Sequence, residues 1–350
     1  MDAISAHHPD VDAAVQQASA HGSEEWTPGE LIMGHIGDDH GWHLFGHTSL
    51  PLPVILYNSE RGLSIFSSGH FHHGEDAYNG YMLSEGKVVA VNELETIPAS
   101  QATINEELTA ATWDLSITKN VLAMFLSMLL MLLIFLSVAK AYKNQGVKAP
   151  RGLQSFIEPI IVFVRDDVAK ANIGPKYERF MPFLLTVFFF ILINNLLGLV
   201  PFFPGGANVT GNISITLALA AFTFVIILLN GNKHYWGHII AMPGVPKWVL
   251  IILTPVEILG VFLRPLILMI RLFANITAGH IIVLSFFALI FIFGRINEGL
   301  GWGISVVSLT FTIFMTLLEL LVAFIQAFVF TFLSAMYFGA AIEEPHPDHH

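Results

Sequence analysis

Long apolar stretches in the second half of the chain restrict its fold more than any other feature. Three of them contain no charged residue and have about the 20 residues that a helix needs to cross a bilayer core. The other two, as straight helices, would measure about 70 Å and 50 Å and must tilt or bend, with Pro255 and Pro265 as candidate bends. We predict five membrane-embedded helices, the last two forming a long tilted hairpin around 294–303, within residues 120–139, 180–200, 213–230, 248–293 and 304–338.

Charge and histidine content divide the chain into two parts. Residues 1–117 hold 17 of the 27 acidic residues, 2 of the 16 Lys and Arg residues and 10 of the 16 His residues. We predict three regions: an acidic, His-rich N-terminal segment (1–117), a membrane domain (118–342) and a short tail (343–350). Strand-like composition at 49–57, 62–67 and 81–91 predicts that the first region is small and β-rich. The predicted fold class is an all-α polytopic membrane protein with a β-rich extramembrane N-terminal segment.

Composition also excludes several kinds of site and partner. The chain has no Cys, which rules out disulfides, Cys-ligated metal sites and a thiol nucleophile. With only 12% charged residues and a net charge of −11, it lacks the basic face of a nucleic-acid-binding protein. The spacing of the N-terminal His residues matches no strong metal template, so solvated surface is favoured over a metal site. Residues 1–20 lack the features of a signal peptide, and a longer precursor is a hypothesis.

The distribution of basic residues predicts the orientation of the membrane domain. Residues 140–179 contain eight Lys and Arg residues, which favours a cytoplasmic location for this stretch. The N-terminal segment is then outside the cytoplasm and the C-terminus inside. Within the basic stretch, residues 153–170 are apolar on one side and charged on the other. We interpret them as an interfacial amphipathic helix on the membrane, with a surface helix of a cytoplasmic loop as the alternative.

Ionisable residues at bilayer depth cost about 2.5–3.5 kcal/mol each, so each needs a reason. Glu257, Arg264 and Arg271 recur every seven residues and share one stripe of their helix if that helix is continuous. Arg cannot deprotonate and is a fixed positive charge, whereas Glu and His can take up and release protons. A permanent cation flanked by such groups is suited to moving protons while blocking their direct leakage. The residues concerned are Glu257, Arg264, Arg271, His280 and Glu319.

Structural roles are open for most of the polar residues in the membrane. Glu257 and Arg264 could form an ion pair, or Arg264 could reach the cytoplasmic interface. His280 and Glu319 could pair only to hold two helices together. Gln326, Asn194 and Asn195 could serve as hydrogen-bonding residues between packed helices.

Three motifs in the membrane domain resemble subunit a of the F-type ATP synthase. Residues 270–275 (IRLFAN) with 278–280 (AGH) look like its R-L-F-x-N…A-G signature. Residues 326–330 (QAFVF) resemble its last-helix motif, and 195–201 (NLLGLVP) resemble the end of one of its helices. Glu257 and Arg264-Pro265 also fit the family pattern. The resemblance covers about residues 115–342, with the motifs in the same order and with similar spacing.

The resemblance implies a proton-translocating stator subunit that forms two half-channels beside a ring of c subunits. Arg271 matches the essential arginine that faces the ring carboxylate and separates the half-channels. Glu257 matches a position near the cytoplasmic exit, and Asn195 and Arg264 are supporting polar residues. The positions matched along the outer half-channel are Asn275, His280, Glu319 and Gln326. The implied partners are the c-subunit ring, the b-subunit peripheral stalk, other ATP synthase subunits and the lipid bilayer, in the bacterial inner membrane.

One departure from the family pattern bears on mechanism. Many bacterial members carry an acid where this chain has His280 and a His where it has Glu319. The exchange keeps one acid and one imidazole together, which favours a relay and favours protons over sodium. The chain has no P-loop and is expected to be non-catalytic by itself and without a cofactor. The alternatives are a self-contained secondary transporter or ion channel and, third, a membrane-anchored binding protein that uses the His-rich segment.

Overall fold

A small β domain precedes a helical membrane domain in this chain. The computed structural model describes residues 29, 37–45, 48–84, 86–145, 151–200, 203–240, 242 and 245–344. Two predictions concern residues outside those described: that residues 1–20 lack a signal peptide, and that the tail continues through 345–350. We call residues 37–118 the β domain.

Strands of the β domain form three antiparallel sheets. The sheet orders are β1-β2, β4-β3-β9 and β7-β6-β5-β8. A buried apolar cluster that includes Val54, Leu56, Phe71 and Tyr81 packs between the second and third of these sheets. The strands are β1 Gly41–Phe45, β2 Thr48–Pro51, β3 Pro53–Asn58, β4 Gly62–Ser67, β5 Asp76–Tyr78, β6 Tyr81–Ser84, β7 Lys87–Ala90, β8 Ile97–Pro98 and β9 Thr112–Asp114.

The β-rich prediction is confirmed, but two predicted strands are each split in the structure. Residues 49–57 cover most of β2 and most of β3. The two strands are separated at Leu52, which lies between two prolines. Residues 81–91 form a hairpin of β6 and β7, whose turn contains Gly86 with φ of 77°. Glycine adopts this left-handed conformation without steric cost, so the chain reverses there instead of continuing as one strand.

Helices dominate the rest of the chain. Five of those described are long and apolar enough to cross a membrane, as predicted: α2, α5, α6, α8 and α9. The full set is α1 Glu106–Ala110, α2 Lys119–Gln145, α3 Leu153–Phe163, α4 Ala171–Ile173, α5 Met181–Gly198, α6 Ile213–Asn230, α7 Lys233–Ile240, α8 Lys247–Ile296 and α9 Glu298–Ile342.

The last two helices form the long hairpin, but their connection is much shorter than predicted. Helix α8 has 50 residues and runs through both Pro255 and Pro265, and α9 has 45. The expected connection at 294–303 is helical except for Asn297. Its side-chain oxygen accepts from Gly299 N at 2.8 Å and so caps α9. The two helices approach each other so closely there that a Cβ on Gly301 would lie 2.7 Å from Gly294 Cα.

The membrane domain packs around α5. Its aromatic and aliphatic side chains form one buried cluster with Leu268 and Leu272 of α8 and with Ala327 and Phe330 of α9. Toward the other end of α9, Ala335, Phe338 and Ala341 belong to a second cluster. The amphipathic segment continues from α3 through a π-helical turn, Val164–Lys170, and contributes buried residues to both clusters. Its placement on the membrane surface stays a prediction.

The β domain packs directly on one end of the membrane domain. A shared cluster joins Trp42 of β1 to Ala123 of α2 and to Ala207 and Val209. These last two lie in the loop between α5 and α6, which we call the α5–α6 loop. This end of the membrane domain therefore carries both the β domain and the α5–α6 loop.

Candidate functional site

The long hairpin brings polar residues of α8 and α9 together. Since α8 is continuous, Glu257, Arg264 and Arg271 recur at seven-residue intervals and share one stripe of the helix. His280 follows Arg271 by nine residues and points to a different face. Helix α9 runs back along α8 and carries Glu319 beside Gly279. Folding thus places the predicted acid and imidazole in one region.

Two neighbouring cavities lie between α5, α8 and α9. The main cavity has a volume of about 310 Å³, and the small cavity, about 20 Å³. Leu199, His280 and Glu319 line both of them. Asn195 and Asn275 line the small cavity, and Asn208 of the α5–α6 loop lines the main one. Four of the predicted site residues therefore line one or both of these adjacent cavities: Asn195, Asn275, His280 and Glu319.

Glycines leave space for the ionisable side chains of this region. A Cβ on Gly279 would lie 2.5 Å from Glu319 Oε1, so the carboxylate rests directly against the backbone of α8. A Cβ on Gly198, the last residue of α5, would lie 3.7 Å from His280 Nε2. The acid is thus accommodated because Gly279 has no side chain, whereas a methyl group at Gly198 would touch the imidazole at an ordinary van der Waals distance.

Asn195 ties three elements together. Its Nδ2 donates to Ala323 O of α9 at 3.1 Å, and its Oδ1 accepts from Thr210 Oγ1 of the α5–α6 loop at 2.5 Å. Asn194, in contrast, donates to Phe190 O within its own helix at 2.7 Å. Asn195 therefore has both the packing role weighed in the sequence analysis and a place on the cavity wall.

Three cavity residues were missed by the sequence analysis. Thr312 and Thr316 of α9 line the main cavity with Glu319, and the spacing of four and three residues is a helical stripe. This spacing could have been read from the sequence. Asn208 could not, because its position depends on the path of a loop without regular structure.

Arg271 lies apart from the two cavities, one helical turn from Asn275. Its side chain is exposed. With the residues that the structure describes, it forms no ion pair within 4.0 Å. Gln326 is buried on α9, seven residues beyond Glu319, and likewise lines neither cavity. The predicted site thus has a cavity region and, beside it, an exposed arginine.

Glu257 and Arg264 lie toward the opposite end of the membrane domain from the β domain. The Arg264 guanidinium stands over the Tyr337 ring of α9, 5.6 Å from its centroid. Burial raises the pKa of the Tyr235 phenol of α7, the charge of Arg264 lowers it, and that of Glu257 raises it. Both side chains are therefore close to α7. They line neither of the two cavities.

No metal centre is formed by the described residues. No group of three or more His, Asp or Glu side chains among them could hold a metal ion. The described N-terminal His residues make other contacts. His40 Nε2 lies 3.1 Å from Asp114 Oδ2, and His72 Nδ1 lies 2.8 Å from Asp76 Oδ2.

Replacing Gly279 by alanine tests the contact between α8 and Glu319. The new methyl group would occupy the position of the carboxylate, so Glu319 must move away from the backbone of α8. For the proton-translocating role that the motif resemblance implies, we expect proton flux through the assembled complex to fall about tenfold or more, as for a displaced proton-transfer group. Flux is measured by the decay of a pH gradient in proteoliposomes.

Gly260 of the same helix provides the matched control. A Cβ there meets no heavy atom within 4 Å, so Gly260→Ala should leave flux unchanged and favour the helix by about 1 kcal/mol. Equal flux in the Gly279→Ala and Gly260→Ala proteins would contradict a role for the Glu319 position.

Comparisons with known proteins identify the membrane domain. The family described as "ATP synthase A chain" matches residues 121–339, and one described as "Domain of unknown function (DUF8433)" matches residues 31–115. The chain is 40% identical over 293 residues to ATP synthase subunit a of Chlorobium phaeobacteroides (strain DSM 266 / SMG 266 / 2430), covering 81% of this chain and 82% of that protein. It is 46% identical over 249 residues to ATP synthase subunit a 2 of Chlorobaculum tepidum, covering 69% and 67%.

A further relative spans almost the whole chain. ATP synthase subunit a of Anaeromyxobacter dehalogenans is 36% identical over 345 residues, which cover 94% of this chain and 82% of that protein. The resemblance drawn from the motifs around Arg271, Asn195 and Gln326 is confirmed by these matches. The chain therefore belongs to the ATP synthase A chain family.

Proposed function

We propose that this chain is the proton-conducting stator subunit in the membrane sector of an ATP synthase, and that the main and small cavities belong to its outer half-channel. The observation that carries the proposal is the gathering of Asn195, Asn275, His280 and Glu319 around the two cavities. The only groups among them that exchange protons readily are the acid and the imidazole. Both line both cavities, which suits a relay between them.

The end of the molecule at which the main cavity lies supports its assignment to the outer side. Asn208 and Gly206 of the α5–α6 loop line this cavity, and the neighbouring residues Ala207 and Val209 contact the β domain. The basic stretch that begins at the C-terminal end of α2 favours the cytoplasm for the opposite end. A proton arriving from outside would enter beside the α5–α6 loop and reach Glu319 and His280.

Arg271 is suited to separate this path from a second one. A guanidinium in the membrane keeps its charge, and that charge is costly in hydrocarbon unless an anion faces it. The exposed side chain of Arg271 has no such partner among the described residues. A carboxylate on a neighbouring ring of c subunits would supply it. Arg271 then holds each deprotonated ring carboxylate and prevents a proton from passing directly between the half-channels.

Residues at the other end complete the proposed arrangement. Glu257, near α7, would lie at the cytoplasmic exit, and Gln326 would bridge α9 to the arginine region. Arg264, which stacks on Tyr337, has a supporting role in packing. In this scheme the chain is not an enzyme by itself. It works with the c-subunit ring and the b-subunit stalk in a bacterial inner membrane, with the β domain outside and the C-terminus inside.

Water access to the main cavity is the test of this function. The chain has no Cys, so single cysteines can be introduced without background from this subunit. Thr316 lines the main cavity, while its neighbour Leu317 is 62% exposed on another face of α9 and lines neither cavity. A thiol reacts as its thiolate, which forms in water and not in lipid. We expect a membrane-impermeant cationic thiol reagent, added outside, to block proton flux in the Thr316→Cys complex.

The Leu317→Cys complex is the matched control and should retain its flux after the same treatment. Complexes without an introduced cysteine report any reaction at other subunits. Reaction of both cysteines alike, or resistance of the Thr316→Cys complex to the reagent from outside, would argue against an aqueous outer half-channel here.

A further inference from the structure

The side chain of Asn208 is an unexplained polar group on the wall of the main cavity. It is only 4% exposed, and neither its amide nitrogen nor its amide oxygen has a hydrogen-bond partner among the described residues. Leaving both atoms of a buried amide unpaired is costly. Both amide atoms are enclosed in this structure. Asn208 lines the main cavity, which has room for several water molecules, so a water of this cavity is the partner that the amide meets first on a small rotation of the side chain.

Contacts within the α5–α6 loop hold the Asn208 amide over a glycine. A Cβ on Gly211 would overlap both amide atoms of Asn208, so the side chain packs directly on the Gly211 backbone. The loop is also tied to the membrane helices. Thr210 Oγ1 donates to Asn195 Oδ1 at 2.5 Å, and Thr277 Oγ1 of α8 donates to Gly211 O at 3.4 Å.

The β domain supports the same loop from the other side. Ala207 and Val209, on either side of Asn208, are buried in the cluster with Trp42. Trp42, 3% exposed, also meets the Phe203 ring edge to face, with 5.1 Å between centroids. The two neighbours of Asn208 thus pack against the β domain, while Asn208 itself lines the main cavity.

Trp42 is itself firmly placed on the membrane domain. Just before β1, Asp38 accepts hydrogen bonds from Asn120 N of α2 at 3.0 Å and from Thr118 Oγ1 at 2.8 Å. His40 contacts Asp114. Burial would lower the pKa of His40, but the hydrogen bond and the charge of Asp114, with those of Asp39 and Asp38, raise it above its usual range. The strand that bears Trp42 therefore begins at a junction fixed to the first membrane helix.

We propose that the β domain is a positioning element for the outer proton path: Trp42 holds the α5–α6 loop so that the Asn208 amide binds water in the main cavity beside His280 and Glu319. This inference rests on the proposed function, since the water has a role only if the cavity conducts protons. It assigns a function to the region matched by a domain family of unknown function. Trp42 is a positioning residue, and Asn208 is the group that touches the path.

The test compares four variants in the complete ATP synthase reconstituted in liposomes. Asn208→Ala should lower proton flux about fivefold, the size expected for one lost hydrogen bond to path water. Trp42→Ala should lower it to a similar extent, and Trp42→Phe, which keeps an aromatic ring, should restore most of it. The double variant Trp42→Ala/Asn208→Ala should be no slower than Asn208→Ala alone, because both changes act through one group.

Trp113→Ala is the matched control, because Trp113 is in the same domain but 71% exposed and outside this cluster. The Trp113→Ala complex should have the same proton flux as the parent complex and should contain the same amount of this subunit. If Trp42→Ala prevents accumulation of the chain, Phe203→Ala removes the aromatic contact from the loop side and takes its place in the comparison.

The outcomes separate this inference from the proposed function. Normal flux in the Asn208→Ala and Trp42→Ala complexes, with reduced flux in Gly279→Ala, would overturn the inference and leave the proposed function standing. Strictly additive losses in the double variant would also overturn it, since they would mean that Trp42 acts by another route. Normal flux in all of these variants, Gly279→Ala included, would also remove the assignment of the two cavities to the outer half-channel.

Discussion

Replacing Arg271 by alanine is expected to abolish ATP synthesis driven by a proton gradient, with a loss of at least about 100-fold. In the proposed arrangement the guanidinium is the fixed charge that faces the ring carboxylates. Removing one partner of a desolvated charge pair costs about 3–5 kcal/mol, which corresponds to about two to nearly four orders of magnitude in rate. The ATPase activity of the soluble head should survive, because the change lies in the membrane sector.

Synthesis, ATP-driven pumping and head ATPase activity are measured on the same preparations of the complex. Arg264→Ala is the matched control, since Arg264 lies on the same stripe of α8, seven residues away, and stacks on Tyr337. Its removal should weaken packing and reduce activity only a few-fold. Arg271→Lys keeps the charge but loses the planar guanidinium, so an intermediate loss is expected. Normal ATP-driven pumping by the Arg271→Ala complex would refute the proposed role.

Helices and site residues in this chain differ in how far the sequence determines them. The five spans were predicted because apolar runs of this length have few other solutions in a bilayer, and α6 was found at the predicted bounds. The short turn between α8 and α9 was not predicted, because glycines at 294 and 303 suggest a longer loop. In the structure, Gly294 and Gly301 instead allow the two helices to touch. Glycine marks close approach as readily as it marks a turn.

The cavity was predictable only in part. Motif spacing placed Asn275 and His280 on α8 and Glu319 on α9, and these were found together. What shapes the space between them is the absence of side chains at Gly279 and Gly198. A missing side chain at these positions creates space only where another helix or loop packs against it, and the sequence does not show that packing. Asn208 lies in a loop whose residues Ala207 and Val209 pack with Trp42, more than 160 positions earlier in the chain, and no local pattern reveals that packing.

Exchanging His280 and Glu319 distinguishes a proton relay from simple packing. The structure places both side chains on the walls of the same two cavities, each opposite a glycine. A relay needs one acid and one imidazole but is less sensitive to which helix carries which. His280→Glu alone leaves two acids, and Glu319→His alone leaves two imidazoles. We expect each single variant to lose about tenfold or more of its proton flux, as for the loss of a positioned acid–base group.

The double variant His280→Glu/Glu319→His restores one group of each kind and should recover flux to within about threefold of the parent, a coupling of at least about 2 kcal/mol between the two positions. Recovery should be incomplete, because a rigid imidazole replaces a flexible carboxylate against Gly279. Flux is compared after normalising to the amount of this subunit in each preparation. If the positions served packing alone, the single variants would keep their flux, or the double variant would lose at least as much as the two single variants combined. Recovery in the double variant alone means that flux depends on one acid and one imidazole held together at these two positions.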